Sequence, residues 1–147
     1  MIFENFVIER ALAILTRRLK AGTVSVANPD LAEEYLLHKL ILEEREIFGA
    51  LWLDVKNRLI GIEDIALGSI NTVNVYPREV VKSAMRHNAA NVIFYHNHLS
   101  GEPVPSEADK VMTANMKKLL RLVDVRLLDH IIISGTKTRS LAKRGEL

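Results

Sequence analysis

The amino-acid sequence predicts an α/β fold, a single domain with a mixed β-sheet flanked by helices. Apolar residues recur at helical spacing in some segments and form short continuous runs, typical of buried strands, in others. Strands and helices alternate without a strict parallel βαβ repeat, which indicates a mixed sheet. A chain of 147 residues with 48% hydrophobic and 26% charged residues is typical of one globular domain. We predict one domain over 1–147, with an N-terminal helix and loop over 1–27 and the main body over 28–147.

The first two predicted elements are helices. Apolar side chains at helical spacing predict an amphipathic helix over roughly the first 20 residues, with Gly22 ending it. Asn28 followed by Pro29 is typical of a helix N-cap and first turn. A second helix is therefore expected from this point to about Leu42.

A hairpin and a third helix are predicted next. The apolar run IFGALWLDV and the segment LIGIEDIAL predict two strands, which the turn residues Asn57 and Arg58 join into a hairpin. The segment from Asn71 to Val75 is a candidate short strand. Pro77 is typical of the first turn of a helix, which is expected to run to about Asn88.

The last part of the chain predicts a strand, a helix and another strand. NVIFY predicts a buried strand, and the turn-rich loop LSGEPVP separates it from the next helix. Ser106 begins that helix, which is expected to run to about Leu122. VRLLDHIII predicts a late strand, and a final turn begins at Ser134 and Gly135.

The composition restricts the classes of function. The chain has no cysteine, which excludes disulfides, thiolate catalysis and cysteine-rich zinc sites, so any metal must be held by nitrogen and oxygen ligands. The net charge of +2 is weak for a dedicated nucleic-acid binder. Basic residues cluster locally and are interpreted as solvated faces: Arg17, Arg18 and Lys20, and Lys137, Arg139, Lys143 and Arg144. The acidic residues in MIFENFVIERALAIL argue against a signal peptide, and no apolar stretch is long enough to span a bilayer, so a cytoplasmic location is the default expectation.

The most informative segment is YHNHLSGEPVPSEAD, from Tyr95 to Asp109. His96 and His98 are two residues apart at the end of an apolar strand, where side chains i and i+2 point to the same side and two imidazoles can face one metal ion. Asp109 lies in the first turn of the next helix, and the proline-stiffened loop can bring it back to the histidines. Two histidines and one carboxylate leave one zinc position open for water, as in catalytic zinc sites.

Each half of this pattern has an ordinary explanation when taken alone. An H-x-H pair is weak evidence for a metal, and Ser106 with Asp109 forms the S-x-x-D pattern of a helix capping box. The combination H-x-H-x7-S-x2-D is much rarer. Capping and metal binding are compatible, because Ser106 can begin the helix while Asp109 turns to the metal. The letters HNH do not indicate an HNH nuclease, whose motif residues are spread over a ββα unit.

The pattern H-x-H-x7-S-x2-D resembles that of the JAMM (MPN+) metallopeptidases, and the chain is more specifically similar to the RadC family over roughly residues 28 to 147. This resemblance implies a JAMM/MPN-like domain of the cytidine-deaminase-like type. It rests on the following matches: His96-Asn97-His98, Ser100-Gly101, Pro105-Ser106, Asp109, Leu127-Leu128-Asp129-His130, Tyr76-Pro77-Arg78-Glu79-Val80 and Leu53-Asp54.

The resemblance implies a zinc-dependent, metallopeptidase-like hydrolase. His96, His98 and Asp109 would hold one Zn²⁺ per chain, and a zinc-activated water would attack an amide or isopeptide carbonyl of a protein or peptide substrate. The family also carries an association with DNA repair. Its usual pattern has a proline after the second histidine, where this chain has Leu99. Full-length members carry an N-terminal helix-hairpin-helix region, and this chain is expected to be a short form without it.

Two further roles are implied by the same resemblance. Glu46, directly before the apolar strand, matches the glutamate that acts as general base, although Glu43 and Glu44 are close neighbours. Ser106 matches the serine that stabilises the oxyanion. Both residues are therefore candidate catalytic residues, and a solvated charge at a helix end is the ordinary explanation of Glu46.

Other readings of the chain stay open. A metal-dependent nuclease or DNA-repair factor would bind DNA strongly and in a salt-sensitive way. A non-catalytic zinc-bound interaction module would bind zinc without turnover. Two histidines and a carboxylate also suit non-haem iron. No membrane partner is expected, and the oligomeric state stays open, a homodimer included.

The remaining histidines are interpreted as structural. Asp129 and His130 form a second pair that resembles the family, and we expect a structural hydrogen bond near the sheet edge, because no third ligand lies nearby in sequence. His38 and His87 lie in predicted helices without a partner pattern.

Overall fold

A computed structural model describes residues 1–20, 26, 28–69 and 73–147. These residues form four helices and one five-stranded sheet with the strand order β2-β1-β3-β4-β5. In chain order the elements are α1 (Ile2–Lys20), α2 (Pro29–Leu40), β1 (Ile47–Leu53), β2 (Leu59–Leu67), α3 (Pro77–Arg86), β3 (Asn91–Asn97), α4 (Glu107–Arg121), β4 (Arg126–Ser134) and β5 (Lys137–Ser140). Among the described helices, none is both long enough and apolar enough to cross a bilayer.

The sheet is mixed, as the sequence predicts. β1 pairs antiparallel with β2, its hairpin partner, and antiparallel with β3 on its other side. β3 and β4 are parallel because α4 crosses over between them, and β5 returns antiparallel to β4. All seven residues of β1 are buried, which explains why this strand is a continuous apolar run in the sequence.

Helices cover both faces of the sheet, and alternate strand residues supply the two cores. On one face α1 and α2 pack against Leu51 of β1 and Tyr95 of β3. On the other face α3 and α4 pack against Trp52 and Phe94. Because side chains alternate along a strand, His96 lies on the same face as Phe94, the face of α3 and α4.

The structure differs from the predicted elements in two places. The sequence predicts only a turn after Ser134, but Lys137–Ser140 form the edge strand β5, whose polar residues carry no apolar alternation to signal a strand. The candidate strand from Asn71 to Val75 is not formed in its described part, since residues 73–75 lack strand structure. Asn71 and Thr72, like the predicted helix end at Gly22, lie outside the described residues.

Tyr95 is fixed directly before the histidine pair. A Cβ on Gly49 would lie 2.2 Å from Tyr95 Cζ, so the missing side chain at Gly49 makes room for the ring. The Tyr95 hydroxyl donates to Asp64 Oδ1 at 2.5 Å, and Lys39 Nζ lies 3.2 Å from the same carboxylate oxygen. Burial raises the pKa of Tyr95, and the hydroxyl therefore stays protonated and remains a donor.

Candidate metal centre

The two imidazoles of the His-Asn-His segment face one another at the carboxyl end of β3. His96 lies in the strand and is 2% exposed, and His98 follows directly after the strand ends. Their ring centroids are 4.8 Å apart, with the rings nearly perpendicular. The His98 backbone N–H donates to Ile133 O at 2.8 Å, so this residue stays attached to β4. The end of β3 thus brings the His96 and His98 imidazoles close enough to contact a common atom.

Ser134, at the end of β4, organises the loop that follows His98. Its hydroxyl donates to His98 O at 2.8 Å and accepts from Gly101 N at 2.9 Å. Gly101 has φ = +93°, a conformation that L side chains rarely adopt. The loop is therefore held by hydrogen bonds from β4, and Leu99, in place of the family proline, lies partly exposed within it.

Asp109 caps α4 and contacts both histidines. The Ser106 hydroxyl accepts from Asp109 N at 3.0 Å, and Asp109 Oδ2 accepts from Ser106 N at 2.9 Å, which forms a complete capping box. Asp109 Oδ2 also lies 3.1 Å from His98 Nε2, and its Oδ1 lies 3.7 Å from His96 Nδ1. Helix capping and contact with the histidines are thus made by the same carboxylate.

Glu46 approaches His96 from the other side. Its carboxylate Oε2 lies 3.5 Å from His96 Nε2, and the residue is only 8% exposed. Backbone bonds with the end of the hairpin fix it, because Glu46 N donates to Ser69 O and Gly68 N donates to Glu46 O. Of the neighbouring glutamates, Glu44 is exposed and Glu43 is half-buried.

Asn97 connects the histidine segment to the residues around Glu46. Its Oδ1 accepts from Ile47 N at 2.6 Å, and its Nδ2 donates to Arg45 O at 3.0 Å. These contacts of Asn97 are not predicted from the sequence, because an asparagine between two histidines has no local signal that reveals a contact 50 residues away in the chain.

The charges of His98 and Asp109 stabilise each other. The hydrogen bond that His98 donates to the Asp109 carboxylate is the largest effect on His98 and raises its pKa, although burial opposes it. Burial raises the pKa of Asp109, but the hydrogen bonds from His98 and the Ser106 N–H outweigh it and hold this pKa well below its usual range. The Asp109 carboxylate therefore stays ionised and available as a ligand at neutral pH.

His130 lies behind His96 and is neutral. The two rings stack with centroids 6.4 Å apart. The Thr113 hydroxyl donates its one hydrogen to Asp109 O at 2.7 Å. Toward His130 Nδ1, also at 2.7 Å, the same oxygen must therefore act as the acceptor, so Nδ1 carries the proton. Complete burial, with the nearby His96, lowers the pKa of His130 to about 3. His130 thereby contributes an uncharged wall behind the site.

Asp129 has a structural environment, as the sequence analysis expects. Its carboxylate accepts from Ser140 Oγ at 2.5 Å, from Ala142 N at 3.0 Å and from His130 N at 2.7 Å. His38 in α2 and His87, the C-cap residue of α3, each contact the carbonyl oxygen four residues earlier through Nδ1, at 2.8 Å. These contacts are the ones that structural residues make.

The donor set of the site fits a metal ion. His96 Nδ1 and Nε2 are both buried and have no hydrogen-bond partner among the described residues, although buried polar atoms are rarely left unpaired. Among the described residues, donor atoms of Glu46, His96 and His98 all lie within 4.8 Å of one another, and this cluster could hold a metal ion. Nitrogen and carboxylate oxygen are ligands that divalent transition metals accept.

The site opens into a cleft of about 640 Å³. Its lining includes the two histidines and the two carboxylates. The apolar residues of the lining are Val73, Leu99, Val104 and Ala108. An apolar groove of about 470 Å³ along the first turns of α4 adjoins the cleft at Ala108. The space beside the two histidines is therefore open to a small molecule or an extended chain.

Comparison with known proteins identifies relatives along almost the whole chain. The family described as RadC-like JAB domain matches residues 26–146. A UPF0758 protein of Vibrio cholerae is 48% identical over 144 residues, which are 98% of this chain and 90% of the relative. The UPF0758 protein YkfG of Escherichia coli is 44% identical over 144 residues, covering 98% and 91% of the two chains. A UPF0758 protein of Cellvibrio japonicus is 45% identical over 141 residues, and there the chain spans 62% of the relative's length.

Proposed function

Because the chain belongs to the RadC-like JAB domain family, we propose that it is a zinc-dependent hydrolase of amide or isopeptide bonds. The observation that carries this proposal is His96. Its imidazole is buried, and neither nitrogen has a hydrogen-bond partner among the residues that the structure describes. It lies beside His98, and a carboxylate lies near each of its two nitrogens. Such an arrangement costs free energy in a folded protein unless a ligand uses the nitrogens.

The proposed zinc ligands are His96, His98 and Asp109. An imidazole binds a metal through one nitrogen and usually donates its other N–H to a carboxylate or carbonyl. His96 has a carboxylate on either side, so Asp109 and Glu46 are the two candidates for the third ligand. Asp109 is favoured because it also contacts His98 and its lowered pKa keeps it ionised. Three protein ligands leave a coordination position open, which distinguishes catalytic from structural zinc.

Glu46 is the proposed general base. Zinc bound at this site would supply Lewis acidity that makes hydroxide available near neutral pH. Glu46 would accept the proton of the attacking water at Oε2 and return it to the leaving nitrogen. Its burial and its backbone bonds to Gly68 and Ser69 restrict it to the edge of the cleft that faces His96.

Ser106 and the apolar residues that line the cleft are proposed to bind the substrate. The Ser106 hydroxyl accepts the Asp109 N–H and still has its own hydrogen to donate to a developing oxyanion. The apolar residues of the cleft would contact the aliphatic part of a peptide or of a lysine-linked chain. These two features favour a carbonyl substrate with an apolar neighbour.

Metal content tests the ligand assignment. Wild type, Asp109→Asn and Glu46→Gln would be purified without chelator or His-tag, and zinc and iron counted per chain. The proposal expects about one zinc in wild type and in Glu46→Gln, and much less in Asp109→Asn. A loss in Glu46→Gln with retention in Asp109→Asn would make Glu46 the ligand instead. Absence of any metal from wild type, even after zinc is supplied, would contradict the hydrolase proposal.

Turnover tests the catalytic role. A panel of peptides and isopeptide-linked substrates would be incubated with zinc-loaded wild type and zinc-loaded Glu46→Gln. The proposal expects hydrolysis by wild type that falls by roughly 100-fold or more in the variant, the usual contribution of a general base. Equal turnover in both proteins would refute the general-base role. Zinc binding without hydrolysis across the panel would support the non-catalytic interaction module.

A further inference from the structure

Asn97 lies where the β1–β3 ladder ends. The last paired residues are Phe48 and His96, so the next rung would join Ile47 and Asn97. The Asn97 side chain replaces that rung, because Ile47 N donates to its Oδ1 at 2.6 Å. The backbone after Asn97 is thus free to turn away from β1, and His98 N bonds to Ile133 O of β4 instead. The position of His98 is therefore fixed by β4 rather than by the Asn97 side chain.

The same carboxamide fixes the backbone on both sides of Glu46. Its acceptor holds the N–H of the residue after Glu46, and its donor holds the carbonyl of Arg45, the residue before it. Asn97 is 2% exposed, so no water competes for either bond. Asparagine is suited to this position because it offers one acceptor and two donors on a short side chain.

From this geometry we infer that Asn97 is a positioning residue that holds the Glu46 carboxylate beside His96. The residue between the two histidines thereby connects the ligand segment to the carboxylate that approaches from β1. This inference rests on the proposed function, because Glu46 acts at the zinc site. Asn97 itself faces the opposite side of the strand from the imidazoles and touches neither zinc nor substrate.

Asn91, at the other end of β3, provides a matched control. Its Nδ2 donates to Asn57 Oδ1 at 2.7 Å and to Asp54 O at 3.2 Å, so it also connects the strand to a distant segment. Asn91→Ala removes hydrogen bonds of the same kind from the same strand. It does so far from Glu46, and a general weakening of β3 should appear equally in both alanine variants.

The test is a double-mutant cycle on zinc affinity, measured by competition with a chromophoric chelator. Asn97→Ala should weaken zinc binding by about tenfold, as loss of an outer-shell partner does, and Asn91→Ala by less than about twofold. Glu46→Gln should also weaken binding by about tenfold while zinc still loads at saturation. In the Glu46→Gln background, Asn97→Ala should add less than about twofold, because its effect passes through Glu46.

Asn97→Asp provides a nearly isosteric variant in case the alanine variant does not fold. It keeps the acceptor for Ile47 N, loses the donor to Arg45 O, and should weaken zinc binding about three- to tenfold. Two results would overturn this inference while leaving the proposed function intact. One is an equal loss of zinc affinity from Asn97→Ala with and without Glu46. The other is a wild type that binds zinc, with both Asn97 variants within about twofold of its affinity. A wild type that binds no zinc would overturn the proposed function, and the inference with it.

Discussion

Two buried clusters of polar side chains lie next to each other around β4 and α4. The Asp129 cluster consists of Asp129 with its partners His130, Ser140 and Ala142, and its carboxylate accepts three bonds of 2.5 to 3.0 Å. The candidate metal centre consists of Glu46, His96, His98 and Asp109. There the imidazole–carboxylate separations are 3.1 to 3.7 Å, and neither nitrogen of His96 has a hydrogen-bond partner within the described part of the chain.

The difference separates a structural cluster from a binding site. Buried polar groups stabilise a fold only when their hydrogen bonds are made within the chain. The Asp129 carboxylate meets this condition, and the C-terminal segment is attached to β4 through it. His96 does not meet it, which is expected where the missing partner comes from outside the chain. The two clusters should therefore respond oppositely to substitution.

The largest expected effect is the loss of zinc in Asp109→Asn. Dividing the roughly 10–16 kcal/mol of a tight four-ligand zinc site among its ligands gives about 2.5–4 kcal/mol for one ligand, or roughly 60- to 700-fold in affinity. The apo protein should lose only about 1–2 kcal/mol, because asparagine can still accept from the Ser106 N–H of the capping box but no longer pairs a charge with His98. Chelator competition and urea unfolding of the metal-free protein measure the two quantities. Equal free-energy losses in zinc binding and in unfolding would mean that Asp109, like Asp129, has a structural role.

The opposite behaviour is expected of Asp129→Ala. It leaves the Ser140 hydroxyl and two backbone N–H groups without their acceptor in a buried place, which costs about 3 kcal/mol of unfolding free energy. Zinc affinity should change by less than about threefold, since Asp129 contacts none of the proposed ligands. Asp129→Asn keeps one acceptor and should lose only about half as much stability. Zinc titration that shows a large loss for Asp129→Ala would place Asp129 in the metal centre.

The pH dependence of stability sharpens the comparison through His130, which touches both clusters. Its pKa of about 3 lies below the unfolded value of 6.5, so between these pH values the unfolded state binds more protons. Metal-free protein should therefore lose up to about 1.4 kcal/mol per pH unit as the pH falls below about 6.5. His98 acts in the opposite sense, because its pKa is raised in the folded protein. Its contribution to the free energy of unfolding is present at low pH and is lost as the pH rises through that raised pKa.

Subtracting the curve of His130→Gln from that of wild type isolates the His130 contribution. Urea unfolding between pH 4.5 and pH 8 in chelator, with the half-buried His38→Gln as control, provides the data. A difference curve that is flat over this range would show that His130 is not held neutral in the folded protein.

The smallest expected effect concerns the loop after His98. Ser134→Ala removes one donor and one acceptor and leaves Gly101 N and His98 O without this partner, which costs about 1 kcal/mol. Zinc affinity should fall by less than about tenfold, because the bond from His98 N to Ile133 O remains. Calorimetry and chelator competition check both values. A loss as large as that of Asp109→Asn would mean that the loop, rather than the carboxylate, determines metal binding.

Local patterns in the sequence predict most of the fold and the positions of the site residues. Apolar residues predict four of the five strands. β1, β3 and β4 are rich in apolar residues because both of their faces are buried, whereas the edge strand β2 is mostly half-buried. The two-residue spacing of His96 and His98 predicts that their rings share a side of the strand, and the S-x-x-D pattern predicts the cap made by Ser106 and Asp109.

Contacts between distant segments could not be predicted in this way. Asn97 and Ser134 act through partners 33 to 52 residues away, and nothing in their neighbourhood specifies those partners. The short polar strand β5 pairs at the sheet edge, where burial imposes no apolar alternation. Glu46 was identified only through a family resemblance, since a lone glutamate before a strand has no spacing that relates it to a histidine 50 residues later.

The attachment of His98 to β4 has a consequence for how the protein is made. During synthesis His96 and His98 emerge from the ribosome well before Ile133, and the parallel β3–β4 pairing must wait for α4 and the strand that follows it. Such long-range pairing forms late because loop closure must precede it. The second imidazole is thus oriented only after residue 134 has been added. A nascent chain shorter than this would carry the histidines without a formed site, and metal loading would follow folding rather than guide it.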